Sequence, residues 1–357
     1  MNRFIQLHYL TVYPLSNPNR DDQGRPKSAT YGGVPRLRIS SQSLKRATRL
    51  SDTMQNDLRG NLGERTQRIG EAIKQGLIEG GATGEAAHEA AKKIADVFGK
   101  LDAKAEEKKQ IRTRQLAFIS PDEKKMAFDL AKKEIDGEPL PSNAELKKLV
   151  LRNADGAVDI AMFGRMLADD PDSNREAAVQ VSHGITTHRA LVEDDFYTAV
   201  DDLKRPSEDA GAGFVGEAGF GSGVFYIYAC IDTALLKENL EGDLHLAARA
   251  TAALAEALAT ATPSGKRNSF AHQTYASFVM AESGDRQPRS LAGAFLKPVT
   301  GDDLLKTSVE RLIETSRAID EAYFDDGPLR TKIMNLQQGE GSIAEIKTFL
   351  INSVRDA

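Results

Sequence analysis

The chain has 357 residues, of which 40% are hydrophobic and 28% charged, and its net charge is -5 at pH 7; this length allows two domains, or one domain with large insertions. These proportions exclude a collagen-like, wholly disordered or heptad-only chain, and the longest apolar run, eight residues from Val224 to Ile231, falls far short of the roughly 18 a membrane span needs. A lone cysteine, Cys230, forbids an internal disulfide and offers no zinc cluster, so the expected setting is a reducing cytoplasm, with neither cofactor nor metal.

Residues 3 to 13 place Phe4, Ile5, Leu7, Tyr9, Leu10, Val12 and Tyr13 without a helical period and stop at Pro14, which predicts a strand buried on most of its surface. Pro14 to Pro35 holds four prolines and three glycines, a connection long enough to suggest a functional or disordered loop. A short strand, Leu37-Arg38-Ile39, precedes Ser40-Ser41-Gln42-Ser43, which supplies N-cap candidates for a helix expected to reach about Met54. Residues 56 to 180 carry helical patterns such as Ala86 to Phe98 and Lys124 to Glu134 and read as a helical insertion. Strands follow at Ala178 to Thr187, Val224 to Asp232 and Thr274 to Glu282, with Asp243 placed to cap a helix running to Ala261. Amphipathic helices at 302–324 and 343–355 close the chain. The order strand, helix, insertion, strand, strand, helix, strand fits the split βαβ pattern of ferredoxin-like and RRM-like folds.

The acidic average hides a local reversal. Arg20, Arg25, Lys27, Arg36, Arg38, Lys45, Arg46 and Arg49 face only Asp21 and Asp22, so residues 20–49 carry +6 and the remainder -11. On the helix after Ser41, Gln42, Lys45, Arg46 and Arg49 share one face, with Leu44, Ala47, Thr48 and Ser51 on the other. The free N–H groups and dipole of the first turn favour a phosphate there, although spacing alone favours a solvated basic face. Other motifs carry less. Gly211-Ala212-Gly213-Phe214-Val215-Gly216 spells a dinucleotide fingerprint but follows no strand and opens no helix, and around Gly265-Lys266 a P-loop lacks its first glycine and its Ser/Thr. His183 and His188, five apart in a predicted strand, fall on opposite faces. The acidic clusters Glu193-Asp194-Asp195 and Asp201-Asp202 suit solvated turns better than a cation site. Phe196, Tyr197 and Phe214 flank the glycine-rich hairpin, either to stack against bases or to pack it on its neighbour. Val224-Phe225-Tyr226-Ile227-Tyr228 is apolar on both faces, so the sheet lacks the stacking signature of RNA-binding RRM strands.

Together, Asn19-Arg20-Asp21-Asp22, Tyr31-Gly32-Gly33, Arg36 to Ala47, Asp159 to Met166, Thr186-Thr187-His188, Phe196 to Asp202 and Gly221 to Tyr226 closely resemble the CasC family of the RAMP superfamily, the backbone subunit of type I-E CRISPR Cascade complexes. The resemblance implies an α+β fold. Its modified RRM/ferredoxin-like palm would comprise 1–55, 181–202 and 224–357 with the C-terminal helices; 56–180 would form helical fingers and 203–223 a β-hairpin thumb. It further implies a non-catalytic, cytoplasmic subunit that lines up with copies of itself along a guide RNA, grips its phosphates, and kinks it at intervals for pairing with target DNA. Arg20, Lys27, Ser40, Gln42, Lys45, Arg46 and Arg49 would contact the guide backbone, while Met166, Phe196, Tyr197, Thr198 and Val200 would lie at the kink. Other partners would be the large and small Cascade subunits, the guide 5'-end cap subunit and the guide-processing endoribonuclease. Related RNA-targeting complexes suggest an alternative, metal-dependent RNA cleavage by Asp21 or Asp22, whose carboxylates otherwise are expected to hold Arg20 and shape the loop.

Overall fold

The computed structural model describes residues 3–151, 156–167, 170–199, 214–325 and 327–356; Val200, and the expected thumb from Leu203 to Gly213, lie outside the described residues. The chain divides into two compact units, one of Met1–Met54, Val181–Cys230 and Thr251–Ala357, the other of Gln55–Gln180 and Ile231–Ala250. In chain order the strands are β1 (Phe4–Ser16), β2 (Ser28–Tyr31), β3 (Val34–Ile39), β4 (Glu64–Thr66), β5 (Ala117–Ile119), β6 (Val179–Val181), β7 (Gly184–Thr186), β8 (Glu193–Ala199), β9 (Phe214–Asp232), β10 (Ala276–Gly284) and β11 (Arg330–Asn335).

The sheet of the first unit runs β11-β10-β1-β9-β7-β3-β2, with β8 also paired to β9. Taken as the first to fourth strands of a split βαβ unit, β1, β7, β9 and β10 lie in the order fourth, first, third, second. This is the ferredoxin-like arrangement, and the fold is α+β as the sequence implies. Both faces are covered. On one, Leu10, Tyr226, Tyr228, Phe278 and Met280 join Leu291, Phe295, Val309 and Leu312 in a single apolar cluster beneath the helix Leu304–Tyr323. On the other, Tyr9 donates its hydroxyl to the Ala255 carbonyl at 3.2 Å, and the alanines and leucines from Ala252 to Ala259 are buried. Full burial of a residue such as Phe278 contributes about 1.5–3 kcal/mol. Every residue from Val224 to Ile231 is buried, so the doubly apolar strand expected from the sequence is present and neither face is open to bases.

Polar groups under the covering helix bond to one another. His8 meets the Tyr226 hydroxyl at 2.9 Å and Glu282 at 3.2 Å. Arg289 donates to both Glu282 oxygens at 3.0 and 3.1 Å, and to Ser316 and Asp320 at 3.0 Å each.

Several elements differ from expectation. β1 continues past Pro14 to Ser16; its last pair with β10 is Thr11↔Ala276, so the missing proline N–H breaks no bond on that side. The expected loop to Pro35 contains the hairpin β2–β3, closed by Gly32 and Gly33 with φ of +59° and +78°, the two positive values a tight primed turn demands. The helix after Ser40, α1 (Ser41–Arg49), ends before Met54, and a second, Asp52–Asp57, follows. Ser51 causes the break: its hydroxyl donates to Thr48 O at 2.7 Å and accepts from Met54 N at 3.3 Å, so the side chain takes over the helical bonding. The predicted strand Ala178 to Thr187 is two short ones, β6 and β7. Between them Ser182 replaces a ladder bond by accepting from Tyr228 N through its hydroxyl at 3.0 Å. His183 and His188 therefore lie outside both strands and are not placed by strand alternation.

The second unit packs the helices Ile69–Glu79, Gly84–Ala95, Pro121–Ile135 and Asn143–Val150 around Ile73, Ala91, Ile94, Leu130, Leu146 and Val150. Capping boxes at Ser120/Glu123 and Ser142/Glu145 start the latter two. It is not wholly helical as read from the sequence, since β4 and β5 form a small antiparallel ladder. Arg165 is buried here, pinned to Glu123 at 2.6 and 2.7 Å and to the carbonyls of Leu151 and Ser173. Its neighbour Met166 is 83% exposed.

Candidate nucleic-acid interface

α1 starts at a defined cap. The Ser40 hydroxyl accepts from Ser43 N at 3.3 Å, while the Ser40 N–H donates to Asn19 Oδ1 at 2.8 Å. The next free N–H, that of Ser41, donates to His183 Nδ1 at 2.9 Å, which leaves Nε2 of that ring as the protonated nitrogen. Burial, and then the charges of Arg38 and Lys27, hold the His183 pKa below its usual value. Three cationic or imidazole side chains thus gather at the positive end of α1, where an anion is favoured. His183 escaped the sequence reading because nothing in its spacing links it to a helix 142 residues away.

Around α1, Leu44 and Thr48 are buried and face the core. Lys45, Arg49 and Gln42 form one flank and Arg46 stands at the crest opposite the core, by the 100° step of the helix; Gln42 and Arg46 are exposed, Lys45 and Arg49 half-buried. Ala47 and Ser51, expected on the packing face, instead line a groove on the far flank together with Ser43 and Leu50. The basic stretch is thinner at the surface than its count suggests. Arg36 is fully buried and spends its guanidinium on the carbonyls of Thr186, Phe295 and Tyr31, and Arg25 pairs with Asp194 at 2.9 Å. Asp194 therefore sits in β8 as an ion-pair partner, not in a solvated turn.

Arg20 and Lys27 lie on the loop before β2. Lys27 N donates to Asn19 O at 2.9 Å, and Asn17, 1% exposed, donates to Gly24 O at 3.0 Å and to Gly219 O at 2.9 Å. One asparagine thereby ties this loop to the β8–β9 hairpin. Asp21 Oδ1 accepts from Gln23 N at 3.0 Å and Arg25 N at 2.9 Å. It shapes the loop, but among the described residues no ion pair joins Arg20 to Asp21 or Asp22, so that part of the expectation is not met. Asp22 is exposed.

The hairpin begins at Glu193, with Phe196, Tyr197 and Thr198 opposite Glu217, Gly216 and Val215. Phe196 is 72% exposed. Tyr197 lies over Gly216, where an added Cβ would come within 2.4 Å of the ring. The ring thus packs on the glycine of the facing strand, which is the packing alternative weighed from the sequence for these aromatics. Met166, in the other unit, and Val200, outside the described residues, complete the residues predicted from sequence.

A family model described as CT1975-like protein matches residues 5–353. Among solved structures, a chain of a "CRISPR RNA-guided surveillance complex, pre-nicking" is 28% identical, with 98% of this chain and all of that chain covered at a TM-score of 0.86. A chain of a "CRISPR RNA-guided surveillance complex" shares the fold at 24% identity and a TM-score of 0.74, over 99% of this chain and all of the other. A search of curated proteins returns no match.

Proposed function

Since the chain belongs to the CT1975-like family, we propose that it is a Cas backbone subunit that binds the guide RNA of a CRISPR surveillance complex through the face of α1 and the loop before β2. The observation carrying this reading is the gathering of Lys27, Arg38 and His183 at the capped N-terminus of α1, continuous with Lys45, Arg46 and Arg49. Phosphate contacts of this kind fix the path of a strand without reading its sequence, and base pairing by the guide supplies recognition of target DNA. The finer assignment is to a type I-E, CasC-like subunit that multiplies head to tail along the guide and works in the cytoplasm with the other Cascade subunits.

The exposed Phe196, with Tyr197 and Thr198, suits displacement of a base at each kink, and Met166 in the other unit is exposed as well. The subunit is non-catalytic in this reading; the engagement of Asp21 with two backbone N–H groups supports a loop-shaping role. The test is purification from cells expressing a guide array, followed by RNA extraction. Guide-length, nuclease-protected RNA is expected, and protein free of RNA from guide-expressing cells would refute the proposal.

A further inference from the structure

On the far flank of α1, away from Lys45 and Arg49, lies a groove of about 940 Å³, walled by α1 on one side and by residues 260–275 on the other. Arg46 belongs to both surfaces, standing at the crest between the cationic flank and the groove. The opposite wall carries Arg267, whose Nη2 donates to Thr262 O at 3.0 Å while its Nε is buried without a partner. Tyr275, 69% exposed, and Leu50, 50% exposed, present apolar surface to the same space. Serine and threonine hydroxyls make up much of the remaining lining. The acids are Asp52 and Glu256, and Glu256 is paired with Lys347.

The wall is fixed in position. A Cβ at Gly265 would lie 2.4 Å from the Pro18 carbonyl oxygen, so residues 262–267 seat directly on the loop that carries Arg20. Lys266 and Ala271, with φ of +50° and +48°, hold unfavoured left-handed conformations at either end of the short turn containing Arg267. Such conformations persist where the surroundings over-determine them.

We infer that this groove takes an unpaired nucleotide of the bound RNA, with its phosphate between Arg46 and Arg267 and its base against Tyr275. The inference rests on the RNA-binding reading above and extends it to residues that no sequence motif marks. A guanidinium with N–H groups beyond the one that binds Thr262, a solvent-facing aromatic ring and several hydroxyls are the complement of a phosphate, a base and a ribose. A purely electrostatic surface would need no aromatic wall.

The test compares full-length Tyr275→Ala, Tyr275→Phe and Arg267→Gln proteins with a Lys45→Gln/Arg49→Gln protein. Binding of an unstructured 4-thiouridine-substituted RNA is measured by anisotropy, and cross-linked peptides are mapped by mass spectrometry. Tyr275→Ala is expected to weaken binding about tenfold, the scale of one base–aromatic stack; Tyr275→Phe retains affinity, and the wild type cross-links at Tyr275. Because Tyr275 is exposed, its replacement leaves the core intact. Loss of affinity in the α1 variant alone, without a cross-link at Tyr275, overturns the groove while the RNA-binding reading stands. Unchanged affinity in all variants, the α1 pair included, overturns both. A change in assembly mass on Tyr275→Ala at unchanged RNA affinity assigns the groove to a neighbouring copy and overturns the inference.

Discussion

Replacing Lys45 and Arg49 together by glutamine tests the phosphate assignment through its salt dependence. Arg20, Lys27, Lys45, Arg46 and Arg49 supply five side chains able to neutralise a phosphate each; with single-stranded RNA the slope of log affinity against log salt is about -0.7 per phosphate, or about -3.5 per subunit. The double variant keeps three, for a slope of about -2.1. Between 50 and 200 mM salt the wild type should lose affinity by roughly 130-fold and the variant by only about 20-fold. Anisotropy titrations with labelled homopolymeric and mixed-sequence RNAs at four salt concentrations give both slopes directly. The shortfall must also be uniform across sequences, because contacts to phosphate carry no base information. An unchanged slope, or a loss confined to one base composition, would refute the reasoning.

Three further outcomes follow from the same geometry. Arg165→Ala leaves Glu123 buried without its partner and should cost about 3–5 kcal/mol of stability in denaturant titrations, whereas a loss near zero would show that the pair is not closed in solution. Burial lowers the pKa of His8 below its ordinary 6.5, with Arg289 adding to the effect against the pull of Glu282, so the unfolded chain takes up more protons there; this stability is complete above about pH 6.5 and is lost as pH falls. Burial by itself raises the pKa of Glu282, but His8, Arg289 and Ser316 hold it below 4.5, so its contribution is lost in turn as the solution becomes more acid than that. The midpoint of unfolding should accordingly drop between pH 7.5 and 5.5, and His8→Gln should remove part of the drop; an unaltered pH profile in that variant would contradict it. Asp21→Ala should loosen the loop before β2 and weaken RNA binding without changing RNA turnover, and divalent-dependent cleavage of complementary RNA that disappears in this variant would establish the catalytic alternative.

The strand order and the covered sheet were legible because they follow from local pattern: eight apolar residues in a row from Val224 leave no polar face to expose. α1 was legible through Ser40 and its basic face. What escaped the reading was decided by single side chains acting across the chain. Ser51 ends α1 and Ser182 splits a strand through hydroxyl bonds that no periodicity encodes. The Gly32-Gly33 pair is a hairpin signal, but the four prolines of the same stretch make the segment look like a continuous loop. Arg36 looked like surface charge, and only the converging carbonyls of Thr186, Phe295 and Tyr31 reveal it as a buried strut. Arg267 and Tyr275 could not be found from sequence, since their relation to Arg46 exists only once residues 260–275 stand opposite α1.

The arrangement also bears on how a strand could be held by so few charges. Long basic side chains on a mobile loop would surrender much of their binding energy to ordering. Here the loop before β2 is fixed before any RNA arrives. Asn17 fastens it to Gly24 and Gly219, while Asn19 joins it to the start of α1 through Ser40 N and closes the loop on itself by accepting from Lys27 N. These bonds are made by neutral groups at short range, so they survive salt concentrations that screen the cations themselves. Affinity can then weaken with salt while the geometry of the grip does not, which is the behaviour wanted from a surface whose task is to set the path of a strand and leave its bases to be read by pairing.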